Sequence, residues 1–135
     1  MRTIIAGGRN IDYWPEVAAA CAAASWPITK VIHGCAKGVD TLGEWYGEKN
    51  NIPVERFPAE WERLGRAAGP IRNEEMAQNA DALIAVWDGK SKGTMNMIYL
   101  AYAYKLKVLQ WIVEPVLDNE GKVISWKHVD TKTKN

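Results

Sequence analysis

The stretch that most constrains this chain is Thr3-Ile4-Ile5-Ala6-Gly7-Gly8-Arg9. A short run of small and apolar residues reads as a strand buried on both faces, as in a parallel sheet covered by helices. The two glycines after it permit a tight turn and close approach of backbone to a ligand. Arg9 follows where an anion would sit. In a doubly wound domain this strand is central, and Gly7-Gly8-Arg9 is the floor of its site.

The rest of the chain alternates in the same style. A helix is expected over residues 16–25, capped by Asp12, with Pro15 in its first turn and Trp26-Pro27 at its end. Lys30-Val31-Ile32-His33-Gly34 reads as a second strand. Cys35-Ala36-Lys37-Gly38-Val39-Asp40 makes a loop and helix start with Asp40 as its cap, and Leu42, Trp45 and Tyr46 then repeat at helical spacing. Residues 52–57 form a third strand with Pro53 at its entry. The connection over residues 58–69 is the longest, and loops of that length are usually functional or mobile. Pro70 opens a helix on which Arg72, Glu75 and Asn79 share a face.

Residues 82–87 are a fourth buried strand, followed by the glycine-bounded loop Asp88-Gly89-Lys90-Ser91-Lys92-Gly93-Thr94, in which Lys90 and Lys92 read as loop charges and Thr94 as a helix cap. A helix over residues 95–106 is apolar nearly all the way round. That pattern asks for cover beyond its sheet side and predicts a homo-oligomer, a dimer or higher. A fifth strand over residues 107–113 and an antiparallel edge strand over 122–129 complete the pattern, and residues 130–135 are expected to fray. The prediction is one α/β domain over residues 1–129: Rossmann-like, a mostly parallel five-stranded sheet with helices on both faces, plus a C-terminal antiparallel edge strand.

With 135 residues and 47% hydrophobic content, the chain can bury a core without staples. Its two cysteines, Cys21 and Cys35, are expected to be reduced core residues rather than a disulfide or metal pair. Seven tryptophans against one phenylalanine is an odd balance. An indole N–H is costly to bury without a partner, so several should lie half-exposed, at an interface or over a ligand. A net charge of +1 argues against a long-range field aimed at nucleic acid or membrane. No signal-like or membrane-spanning stretch is evident, so a cytoplasmic location is expected.

In sheets of this kind ligands bind beyond the carboxyl ends of the strands, where strand order reverses. Four loops carry unusual residues there: Gly7-Gly8-Arg9, Gly34-Cys35-Ala36-Lys37-Gly38, Gly69-Pro70-Ile71-Arg72-Asn73, and Gly89 through Thr94. Glycine turns at helix starts expose N–H groups that suit a phosphate. Arg9, Lys37, Arg66 and Arg72 would add charge-assisted bonds. Neither G-x-x-x-x-G-K-[ST] nor G-x-G-x-x-G is present, so P-loop hydrolysis and ordinary NAD binding are disfavoured. His33 and His128 lack ligand-like spacing, so neither a metal nor another cofactor is expected.

The strings Ala6 to Arg9, Val31 to Asp40, Phe57-Pro58-Ala59-Glu60-Trp61, Gly65 to Asn73, Ala80 to Ala85 and Gly93-Thr94 resemble the YspA/YpsA-related branch of the SLOG superfamily, over about residues 2–113. The resemblance implies a Rossmann-like fold and binding of nucleotides or nucleotide-derived signals. It also implies kinship with the Lonely Guy phosphoribohydrolases and with DNA-processing protein A. Those hydrolases follow a Pro-Gly-Gly-x-Gly-Thr loop with acidic residues, but here Gly93-Thr94 is followed by Met95-Asn96-Met97. The resemblance places phosphate at Arg72, and leaves Glu75 and Asp40 as the weak catalytic candidates.

The expected ligand site is thus Gly7, Gly8, Arg9, Gly34, Lys37, Gly38, Asp40, Arg66, Arg72, Asn73, Gly93 and Thr94. Its expected use is to sense or sequester a nucleotide-derived small molecule. Hydrolysis of a nucleoside monophosphate and binding of single-stranded DNA are the alternatives. The missing acids lean against an enzyme, and the near-neutral charge leans against nucleic acid.

Overall fold

A computed structural model describes residues 1–135. The elements in chain order are β1 (Arg2–Gly7), α1 (Trp14–Ala23), β2 (Lys30–His33), α2 (Val39–Lys49), β3 (Val54–Arg56), α3 (Trp61–Leu64), a 3-10 turn (Gly65–Ala67), α4 (Ala68–Gln78), β4 (Ala82–Trp87), α5 (Lys92–Ala103), β5 (Lys107–Leu117) and β6 (Val123–Lys134). The strands form one sheet in the order β3-β2-β1-β4-β5-β6. Only β6 runs antiparallel to its neighbour. This is the Rossmann-like, mostly parallel sheet with an antiparallel C-terminal strand that the alternation predicts.

The two cores follow from period-2 alternation along fully buried strands. In β4, Leu83, Ala85 and Trp87 face α4 and α5 in a core with Ile4, Met76, Met97 and Ala101. Ala82, Ile84 and Val86 face the other way, with Val17 and Ala20 of α1, Leu42 of α2 and Ile5. Both faces of the sheet are thus closed. Two tryptophans lie inside with their N–H groups satisfied: Trp26 donates to Thr3 Oγ1 at 3.0 Å and Trp87 to Gln110 Oε1 at 3.3 Å.

Several local expectations are corrected. Asp12 does not cap α1: the helix begins at Trp14 behind Tyr13, which leaves Asp12 one residue short of the capping position. Asp40 does not cap α2 either, because Gly38 stands at that position. The connection over residues 58–69 is not an open loop but α3 and the 3-10 turn. Pro70 lies inside the first turn of α4 rather than opening it, where its missing N–H has no intrahelical acceptor to lose.

Helix α5 starts at Lys92 because Ser91 caps it, accepting from the Thr94 N–H at 3.4 Å; Thr94 is therefore within the helix and buried, not its cap. Cys21 is a core residue whose thiol is pushed up to about 12 by burial. Cys35 is exposed, and both cysteines are free.

The expected frayed tail is strand. β6 runs to Lys134, and Val108 pairs with Lys134 and Leu109 with Thr133. Lysines and threonines on an edge strand read as a solvated tail in composition, but β5 offers them an unpaired backbone edge. Lys134 also lies over the Tyr102 ring, 5.1 Å from its centroid.

Candidate functional site

The sheet order reverses between β1 and β4, so the loops leaving these two strands diverge and open a crevice at their carboxyl ends. Its floor is made by backbone packed on backbone. A Cβ on Gly7 would lie 1.9 Å from the Val86 carbonyl oxygen of β4. Gly8 donates to that same oxygen at 3.1 Å, while its own carbonyl accepts from Val39 N at 3.3 Å. Gly38 holds φ +73, and a Cβ there would meet the Gly8 carbonyl oxygen at 2.4 Å. The start of α2 is thereby locked onto the β1 turn.

Above this floor lies a cavity of about 490 Å3. Ala6, Gly7 and Arg9 line it from β1 and its turn, Ala36 and Asp40 from the β2–α2 segment, and Trp61 from α3. Gly69, Pro70, Arg72, Asn73 and Met76 form a stripe along α4; Ser91 through Thr94, Asn96 and Met97 close it from α5. The first turns of α2, α4 and α5 therefore meet at one place. The unpaired N–H groups of such turns favour an anion.

Arg72 is the organising side chain. Its Nη1 donates to the Gly34 carbonyl, and its Nε donates to Asn73 Oδ1 at 3.0 Å. Gly34 has no side chain because the guanidinium occupies that space: a Cβ would lie 2.4 Å from Arg72 Nη1. Burial lowers the affinity of Arg72 for its proton, and the charge of Asp40 acts the other way. Asn73 passes the constraint to α5, donating from Nδ2 to Asn96 Oδ1 at 2.9 Å. The guanidinium is thus held by fixed backbone and amide groups, with Nη2 making no hydrogen bond to the protein.

Asp40 is buried, yet its carboxylate is occupied. Oδ2 accepts from Gly34 N at 2.9 Å and from Ala36 N at 3.2 Å, which shapes the β2–α2 loop. Burial pushes its carboxyl up, against the pull of those N–H groups, His33 and Arg72. One turn further along α2, Glu44 accepts from Arg56 Nε at 2.6 Å and Nη2 at 2.8 Å. Glu44 also meets His33 Nε2 at 2.6 Å, and the other ring nitrogen, Nδ1, accepts from Cys35 N at 3.0 Å. These contacts, Arg56 first, hold the Glu44 carboxyl down at about 2.

Of the residues expected at the site, Gly7, Arg9, Asp40, Arg72, Asn73, Gly93 and Thr94 come together around the cavity. Gly8, Gly34 and Gly38 lie behind the wall and shape it. Lys37 and Arg66 are exposed and outside the lining. Glu75 is also exposed on α4 and does not reach the cavity, so it is displaced as a catalytic candidate. Trp61, Lys92, Asn96 and Met97 were not among the expected residues. Lys92 read as a loop charge until Ser91 placed it in the first turn of α5. Asn96 carried the signal of standing two residues after Thr94. No group of three or more His, Cys, Asp or Glu side chains is placed to hold a metal ion.

The family described as YspA, cpYpsA-related SLOG matches residues 1–64. The chain is also 32% identical over 91 residues to the Gene 61 protein of Mycobacterium phage D29, covering 63% of this chain and 73% of that protein. The chain belongs to the YspA/cpYpsA-related SLOG family. Membership points to nucleotide-related binding. In this SLOG chain the family match spans β1 through α3, including the Gly7-Gly8-Arg9 turn, Asp40 and Trp61. Arg72, Asn73 and the α5 wall lie beyond it. No solved structure matches the chain. No helix is long and apolar enough to cross a membrane.

Proposed function

We propose that this SLOG protein binds a nucleotide or nucleotide-derived small molecule, with the ligand phosphate against Arg72 and the first turn of α5. The observation that carries the reading is the state of Arg72. It is half-buried and held by Gly34 and Asn73, and it lines a cavity where three helix starts converge. A desolvated, pre-positioned guanidinium grips a phosphate far better than a solvated one. Arg9 and Lys92 line the same cavity and add positive charge. Sensing or sequestering fits a wall whose only carboxylate, Asp40, already accepts two backbone N–H groups.

Titration calorimetry with a panel of nucleoside mono-, di- and cyclic phosphates tests this. Arg72→Ala is expected to weaken binding by about tenfold or more, and Arg72→Lys to recover only part of it. A wild-type protein that binds no member of the panel at millimolar concentration ends the proposal.

A second reading, hydrolysis of a nucleoside monophosphate, draws on the position of Asp40. A carboxyl in the cavity wall whose affinity for its proton is raised by burial has the property a general acid needs. Absence of free base after long incubation with the same panel removes it. Self-association is proposed on a separate surface, where Met95 and Tyr99 of α5 are 52% and 70% exposed. Light scattering showing a monomer at micromolar concentration refutes it.

A further inference from the structure

Trp61 is the least explained large side chain in the cavity wall. It opens α3, a four-residue helix that buries none of its residues, and it is 50% exposed. Trp26, Trp87 and Trp111 each donate their indole N–H to a protein acceptor; Trp61, like Trp14, Trp45 and Trp126, makes no such bond, and of these four it is the one that lines the cavity. An aromatic ring that contributes nothing to a core and lacks a polar partner is poorly accounted for by stability alone.

Its position is nonetheless specified. The indole rests against the first turn of α4 at Gly69, where an added Cβ would be 3.2 Å from Cη2. Gly69, Arg72, Asn73 and Met76 follow at i, i+3, i+4 and i+7, one stripe of α4 facing the cavity. Gly69, the residue on which Trp61 rests, precedes Arg72 by three residues on the same helix, roughly 4.5 Å along its axis. The Trp61 indole and the Arg72 guanidinium thus line the same cavity from neighbouring positions along α4.

We propose that Trp61 is the base platform of this site, stacking the aromatic base of a ligand whose phosphate is held by Arg72. The proposal rests on the phosphate-binding reading above and narrows it from any phosphorylated small molecule to one carrying a base. Stacking on an indole is sequence-tolerant, because every base has a π face. Trp61 then supplies affinity for a base without choosing which one. Selection among bases falls to the polar groups deeper in the cavity, such as Asn96.

The test is calorimetry of wild type, Trp61→Phe and Trp61→Ala against AMP, CMP and ribose 5-phosphate. No residue of α3 is fully buried, so both variants are expected to keep the circular-dichroism spectrum of the wild type. Wild type is expected to prefer AMP and CMP over ribose 5-phosphate by about tenfold or more. Trp61→Ala should erase that preference while leaving ribose 5-phosphate affinity unchanged, and Trp61→Phe should restore most of it. A preference for AMP that survives in Trp61→Ala overturns the platform and leaves the Arg72 reading standing. Equal wild-type affinity for AMP, CMP and ribose 5-phosphate does the same. Failure of all three probes, together with every nucleotide of the wider panel, to bind the wild type overturns both readings.

Discussion

Asp40 and Glu44 lie one turn apart on the same helix, and their surroundings drive them in opposite directions. Asp40 is inside, its carboxyl raised by burial, with one oxygen accepting from Gly34 and Ala36. Glu44 lies outside the cavity lining, its carboxyl held at about 2 by Arg56 and His33. Both carboxylates grip the β2–α2 segment, one from the cavity side and one from the solvent side. Their difference shows where the carboxylates nearest this site are spent. They build a rigid loop around Arg72, which is what a binding wall requires.

The largest expected effect comes from removing the inner carboxylate. Asp40→Ala strands two backbone N–H groups and should cost about 3 kcal/mol in chemical denaturation. Both N–H groups use the same oxygen, so Asp40→Asn can satisfy them with its single carbonyl and should recover most of the loss. If Asn is as damaging as Ala, the charge facing Arg72 matters more than the acceptor, and the comparison must be redrawn.

Gly34→Ala probes the space that Arg72 fills beside the inner carboxylate. Its Cβ would lie 2.4 Å from Arg72 Nη1, so the guanidinium must move. Affinity for a nucleoside monophosphate is expected to fall about tenfold, or about 1.4 kcal/mol. Unchanged affinity would show that the observed pose of Arg72 is not the binding pose.

The smallest effect is at Glu44, outside the cavity. Glu44 titrates at about 2 in the fold against an ordinary 4.5. Its stabilisation is therefore complete above pH 4.5 and is lost as pH falls from 4.5 towards 2. Arg56 is 61% exposed, so screening limits the cost of Glu44→Gln at pH 7 to about 1 kcal/mol. The gap between variant and wild type should close over that acid window in a urea series at stepped pH. A gap that stays constant to pH 2 would assign the stabilisation to hydrogen bonding rather than charge.

Much of the frame was legible in residue pattern. The apolar runs at residues 3–6, 31–32 and 82–87 are buried on both faces, and period 2 splits them between the two cores. Gly7 and Gly38 stand where backbone meets backbone, and glycine is the residue that permits this. The departures from that pattern are local. Asp12 and Thr94 have capping side chains, but a cap is defined by where the first turn starts, and Pro15 and Ser91 decide that. The polar stretch after residue 129 forms strand although it has no apolar face, because an edge strand needs only a backbone partner.

Residue pattern alone specifies an alternating α/β domain whose glycine-rich turns gather at one end of a parallel sheet. Apolar periodicity and backbone sterics act locally along the chain, so they can be read there. What those turns surround emerges only once the chain is packed. Gly34 meets Arg72 from 38 residues away, Asn73 bonds Asn96 from 23 residues away, and a charge that looks solvated on its helix becomes a desolvated guanidinium. Burial and hydrogen-bond partnership belong to the packed assembly, and they alone separate Arg72 in the wall from Arg66 and Lys37 outside it.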